Sequence, residues 1–182
     1  PMRFSLSQIS PQVWKNGGGS TRELAREDTA KGHMIWRASL ARIDRDGAFS
    51  NFPGLSRIHC IVSGAGLQLS NADVQLVADP LKPLHFDGGL ALSARLRDGP
   101  CQAFNLIYDP AHIAADMQIC ESGRHQMTGA EHVIFGLDGE LQLNCAREVA
   151  QLGSGEGIQC AGAGWVEIAP GGRAVVLTLQ EL

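Results

Sequence analysis

Apolar and polar residues alternate with a period of two through Met34–Leu40, where Trp36, Ala38 and Leu40 face one way and Ile35, Arg37 and Ser39 the other. That period belongs to a half-buried strand, since a helix of 3.6 residues per turn would scatter both sets around its axis. Similar stretches run over Arg57–Val62, Gly66–Ser70, Leu90–Leu96, Ala103–Tyr108, Glu131–Phe135, Glu140–Asn144 and Arg173–Leu179. Gly, Pro, Asn and Asp clusters separate them, so the chain reads as short strands joined by tight turns. The 22 glycines among 182 residues exceed the roughly 7% of typical chains and fit the same reading. The expected fold class is all-β, a sandwich or barrel. Helix is expected only over Pro110–Met117, with Pro110 at a first helical position after Asp109, and over Ser7–Val13.

An internal echo organises the strands. His59-Cys60-Ile61-Val62 with Gly66-Leu67-Gln68-Leu69 recurs as His132-Val133-Ile134-Phe135 with Glu140-Leu141-Gln142-Leu143, at an offset of 73 and then 74 residues. Each copy runs strand, Gly-containing turn, strand, turn-rich stretch and closing strands, which suits two related β lobes; chance similarity of short apolar strands is the alternative. The lobes are expected near residues 1–110 and 111–182. The second has only about 72 residues, so it is expected to borrow strands from the N-terminal segment and form one inseparable unit with the first.

Composition narrows the partners. With 15 basic and 19 acidic residues the formal charge is −4, which argues against a general electrostatic grip on nucleic acid or an anionic membrane. Any anion must therefore be met locally. The five cysteines are odd in number, form no CxxC pair, and read as buried thiols in a reducing, cytoplasmic setting. No stretch approaches the roughly 18 apolar residues of a membrane span.

Three segments stand out chemically. Trp14-Lys15-Asn16-Gly17-Gly18-Gly19-Ser20-Thr21-Arg22-Glu23 places its lysine before the glycines, the wrong order for a phosphate-binding P-loop. It reads either as a loop bringing backbone amides, the Trp14 ring and the Lys15 ammonium to one ligand, or as a turn whose Ser20-x-x-Glu23 pattern starts a helix. Asp46–Arg57 is turn-rich and carries Phe49 and Phe52, candidate covers of a pocket, ahead of Arg57 at a loop-to-strand junction. Asn105 sits within an apolar strand, where its amide serves either a structural hydrogen bond or a site.

Together these segments, with Asp98-Gly99-Pro100 before Phe104-Asn105-Leu106, resemble the HutD/Ves family. The resemblance implies a bicupin: two jelly-roll-like cupin barrels packed as one unit in a bacterial, cytoplasmic protein. It further implies a non-enzymatic, small-molecule-binding regulator of histidine utilisation with formylglutamate or urocanate as ligand, or, in the Ves branch, a stress-associated protein with a vestigial pocket. The expected ligand site comprises Lys15, Asn16, Arg22, Arg57 and Asn105, walled by Trp14, Phe49 and Phe52, and takes a small anionic metabolite. Arg57 would offer a planar bidentate fork, and Lys15 a point charge backed by glycine amides. Arg22 has the alternatives of pairing with Glu23 or facing solvent. Ser56 and Ala103 stand where the family pattern leads one to expect acids. The oligomeric state is open, with a homodimer the assembly to test.

No cofactor and no metal are expected. The usual cupin metal site needs an HxH pair, a Glu and a distant His, whereas His33, His59, His85, His112, His125 and His132 are scattered. No catalytic residue is assigned, because a Gly-x-Ser-x-Gly elbow is lacking and Cys60 lies in an apolar strand. A metal-independent cupin isomerase or hydrolase using His and carboxylate chemistry is the alternative.

Overall fold

The computed structural model describes residues 2–182. Among these, seventeen strands and one 3-10 turn, Leu6–Gln8, make up the regular structure, with no α-helix. No helix is long and apolar enough to cross a membrane. The chain divides into two compact units, Ile9–Ala111 and the combination of Pro1–Gln8 with His112–Leu182.

The chain opens with β1 (Met2–Ser5). The unit Ile9–Ala111 then holds β2 (Gln12–Val13), β3 (Gly19–Asp28), β4 (Met34–Ile43), β5 (Gly47–Ala48) and β6 (Ser56–Ser63). It continues with β7 (Leu67–Ser70), β8 (Gln75–Ala78), β9 (Leu84–Asp87), β10 (Ser93–Leu96) and β11 (Cys101–Tyr108). A larger sheet has the order β2-β3-β4-β11-β6-β9, and a smaller one the order β5-β10-β7-β8. Ile43, Ile61 and Ala103 from the first join Leu67, Leu69 and Ala94 from the second in one buried cluster, as period-two alternation requires when two sheet faces share a core.

The second unit holds β12 (Ile113–Met127), β13 (Glu131–Asp138), β14 (Leu141–Cys145), β15 (Glu148–Leu152), β16 (Glu156–Ala161) and β17 (Gly164–Glu181). Strand β17 changes partner along its length: Gly164–Ile168 pairs with β14 and Arg173–Leu179 with β13, while β12 follows it through both stretches. Ile134, Leu143, Leu152, Ile158, Val166 and Val176 form its apolar interior. The N-terminal segment contributes β1, which pairs with β16; Phe4 lies opposite Gly157 and stacks on Phe135 at 6.3 Å.

One pairing scheme recurs in both units. Strand β6 lies between β9 and β11, and β13 between β16 and β17; β7 lies between β8 and β10, and β14 between β15 and β17. The register repeats as well, His59 standing opposite Asn105 and His132 opposite Thr178.

Both expected helices are absent. Ile113 onward is strand β12, because nine residues from Ile113 to Glu121 pair in unbroken register with β17, and such a ladder outweighs the weak helix preference of Ala114-Ala115. The Asp109 carboxylate accepts from the Ala111 N–H at 2.9 Å, closing a turn after which the chain extends. In the Ser7–Val13 stretch only the end of the Leu6–Gln8 turn is helical, and Gln12–Val13 is strand, since Pro11 cannot donate within a helix. The strand expected from Leu90 begins only at Ser93.

Buried His132 is fully engaged: its Nε2 lies 3.0 Å from the Thr128 carbonyl and its Nδ1 3.4 Å from Thr178 Oγ1. Thr178→Val removes the second partner at nearly constant volume. It is expected to lower unfolding free energy by about 1 kcal/mol, measured by urea denaturation.

Candidate functional site

Three strands of the larger sheet set the floor of a cavity of about 820 Å³. In the register of β4, β11, β6 and β9, Arg37, Ile107, Arg57 and Phe86 form one cross-strand row, and Ser39, Asn105, His59 and Leu84 the next. Residues in such rows project from the same face. The loop between β5 and β6 closes over them, held by Phe49 N–H donating to the Leu92 carbonyl at 2.8 Å and Gly88 N–H to the Leu55 carbonyl at 2.8 Å. Phe49 and Phe52 thereby become walls, and Trp14, Lys15 and Asn16 line the mouth.

Arg57 is the central oddity. It is 7% exposed, yet among the described residues no carboxylate pairs with it. Its Nη1 donates to the Ser50 carbonyl at 3.1 Å and its Nη2 to Asn105 Oδ1 at 3.2 Å, while its Nε–H has no acceptor. The guanidinium carbon lies 5.4, 5.5 and 5.2 Å from the ring centroids of Phe49, Phe52 and Phe86, close enough for cation–π attraction. Burial, with the charge of Arg37 second, lowers its pKa from the usual arginine range to about 10, so it remains a cation at neutral pH. Arg37 shares the Phe52 ring at 5.7 Å; its Nε is also buried without an acceptor, and its ion pair with Glu23 is long, at 4.0 Å.

The glycine loop is built differently from the amide-presenting loop of the functional reading. Gly17 N–H donates to the Trp14 carbonyl at 2.9 Å and Gly18 N–H to Asn16 Oδ1 at 2.8 Å, so these amides are spent within the turn. The Ser20-x-x-Glu23 alternative fails as well, because the chain enters β3 at Gly19. Gly19 is required by packing: a Cβ there would run into the Arg42 carbonyl and crowd the Trp14 ring. Trp14 is fixed by Nε1–H donating to Thr21 Oγ1 at 2.8 Å and by an edge-on contact with Phe49.

Arg22 does not join the cavity. It stands opposite Leu40 in the sheet, on the face away from Thr21 and Ala41, and its Nε–H donates to the Ile9 carbonyl at 2.9 Å. Trp14, Lys15, Asn16, Phe49, Phe52, Arg57 and Asn105 all line the cavity. Of the positions expected to be acidic, Ser56 alternates onto the face opposite Arg57, and Ala103 belongs to the apolar cluster below Asn105. Neither lines the cavity.

A cupin-type metal site does not fit these residues. Among the described residues no three His, Cys, Asp or Glu side chains come together, and His59 faces Phe49 at 5.8 Å rather than other ligands. Cys60 is equally unsuited to nucleophilic work, burial pushing its thiol up to about 12, and all five cysteines are free and buried.

A unit of two packed sheets around a cationic hollow, and a unit of one seven-stranded sheet, give the chain a cupin-type β fold. The chain belongs to the HutD family, whose model matches residues 6–176. HutD from Pseudomonas fluorescens SBW25, solved in a formate condition, is 31% identical with a TM-score of 0.85, covering 100% of this chain and 98% of that one. A conserved protein of unknown function from Pseudomonas aeruginosa PAO1 is 24% identical with a TM-score of 0.88, covering 98% of each chain. Ylba from E. coli, 10% identical, shares the fold with a TM-score of 0.74 over 97% of this chain and 89% of that one.

Sequence reasoning missed Arg37 and Ser39, although the alternation that sets them opposite Trp36, Ala38 and Leu40 already put them on one face. It also missed that buried His59 has no partner at either ring nitrogen. Burial, and then the charge of Arg57, pushes this imidazole from 6.5 down to about 3. The unfolded chain binds a proton below pH 6.5 that the folded protein refuses, so this contribution to stability is complete above pH 6.5 and lost as pH falls toward 3. Urea unfolding across pH 6.5 to 5 is expected to show a slope up to about 1.4 kcal/mol per pH unit shallower in His59→Leu than in the parent protein.

Proposed function

We propose that this protein binds a small organic anion in the cavity of the Ile9–Ala111 unit and acts by holding or sensing it, without turning it over. One observation carries the reading. Lys15, Arg37 and Arg57 line the cavity, and among its described lining residues there is no Asp, Glu, His, Cys or Tyr. A hollow lined by three cations and no acidic side chain, with Arg37 held to Glu23 only by the long 4.0 Å pairing, favours a carboxylate, and the unmet N–H groups of Arg37 and Arg57 give it directional donors. The volume falls within the range of small-molecule sites, roughly 300–1,000 Å³. Acid–base catalysis finds little support, since the groups that most often carry protons or attack as nucleophiles are missing from the lining.

The family name points to histidine utilisation, so formylglutamate and urocanate lead the candidate ligands. Titration calorimetry against these two and a panel of simple dicarboxylates tests the reading. Arg57→Ala is expected to cost about 2–5 kcal/mol in binding, the range for truncating one partner of a buried charge pair, with Arg57→Lys recovering only part because its ammonium lacks the planar fork. Equal binding by the parent protein and Arg57→Ala would remove Arg57 from the site, and absence of binding to every member would leave a vestigial pocket.

A further inference from the structure

His59 and Asn105 face each other across β6 and β11 without bonding. The imidazole is fully buried and both its nitrogens lack partners. The carboxamide is engaged elsewhere, by two long contacts: Oδ1 accepts from Arg57 Nη2 at 3.2 Å, and Nδ2 donates to the Ala103 carbonyl at 3.4 Å. Both lie at or beyond the outer edge of good hydrogen-bond geometry.

The other unit shows the arrangement that is missing. His132 occupies the same register position as His59, and Thr178 the position of Asn105. There the cross-strand side chains do meet, His132 Nδ1 lying 3.4 Å from Thr178 Oγ1. In the Ile9–Ala111 unit the residue opposite the imidazole is an Asn rather than a Thr, and its Oδ1 is taken by Arg57.

We infer that Asn105 is a relay between Arg57 and His59, holding the guanidinium while the cavity lacks an anion and turning to the imidazole once a carboxylate has taken Asn105's place on Arg57. The inference rests on the anion reading of the cavity. A carboxylate is the stronger acceptor for a guanidinium than an amide oxygen, so Arg57 gains by the exchange. The freed carboxamide, with one acceptor oxygen and an NH₂ donor, complements either tautomer of a neutral imidazole. The exchange thus leaves Arg57 satisfied and pairs a buried group that was orphaned. His59 becomes a positioning residue that contributes to affinity without lining the cavity: its replacement by Leu is expected to weaken anion binding about five-fold, the worth of one net hydrogen bond.

Long-range proton–nitrogen NMR of the full chain labelled with ¹⁵N-histidine tests this in two arms. Arg57→Met, with no ligand added, releases Asn105 at nearly constant buried volume; the His59 ring resonances are expected to shift and its N–H to exchange more slowly. Adding Asn105→Ala to that variant is expected to abolish the change. In the second arm, sodium glutarate is titrated into the parent protein, and the His59 shift is expected to follow the calorimetric isotherm. An unmoved His59 in folded Arg57→Met, or glutarate binding with His59 unmoved, overturns the relay. Glutarate giving no heat counts against the anion reading and removes the trigger, while the first arm still reports on the Asn105–His59 pairing itself. Should Arg57→Met fail to fold, the glutarate arm decides.

Discussion

The cavity depends on the register of three antiparallel strands, β4, β11 and β6. With Ile107 opposite both Arg37 and Arg57, and Asn105 opposite both Ser39 and His59, every polar side chain of the floor is assigned to one face. A slip of one residue in β6 would send Arg57 and His59 to the other side and bring Ile58 and Cys60 inward. The apolar residues further along the same strands oppose that slip. Ile43, Ala103 and Ile61 alternate in phase with the polar ones and reach a shared core with the smaller sheet, so packing at one end holds the chemistry at the other in place.

The guanidinium of Arg57 is costly to bury and closely supported. Removing a cation from water costs several kcal/mol even after relaxation, and no carboxylate is at hand to offset it. Three aromatic faces and two carbonyl-type oxygens take that role. Two of the rings, Phe49 and Phe52, belong to the loop that also walls the cavity, so the geometry of the loop and the tolerance of the buried charge are linked. The third, Phe86, stands opposite Arg57 on the neighbouring strand β9.

Much of the fold was legible because a period of two leaves little room for anything but strands. The elements misread from sequence are those whose conformation is dictated from a distance. Nothing local in Pro110-Ala111-His112-Ile113-Ala114-Ala115 announces a partner strand some sixty residues downstream, and the Ala pair and the leading proline favour a helix until β17 is present. The glycine loop misled differently. Its composition signals close backbone approach, but what approaches Gly19 is the Arg42 carbonyl and the Trp14 ring rather than a ligand. Of the candidate site, the conspicuous residues were legible, Trp14, Lys15 and Arg57 among them. Arg22 was not separable from them, because whether an arginine in β3 faces inward depends on the parity of its pairing with β4. Arg37 was hidden in the opposite sense, an ordinary polar position in an ordinary strand until a second arginine arrives two strands away.

The two units use one pairing scheme to different ends, the interior of one being packed with Ile134, Leu143, Val166 and their neighbours and that of the other partly hollow. Evolutionary freedom is therefore unequal along the chain. In the packed unit nearly any change of core side-chain volume is a packing defect, so substitutions there are felt first in folding. Residues around the hollow border open space, so a methylene gained or a hydroxyl moved meets fewer neighbours and alters chiefly what fits. Lineages carrying this architecture can drift in ligand preference while the framework stays fixed, and divergence among relatives is expected to concentrate in the positions that ring the cavity.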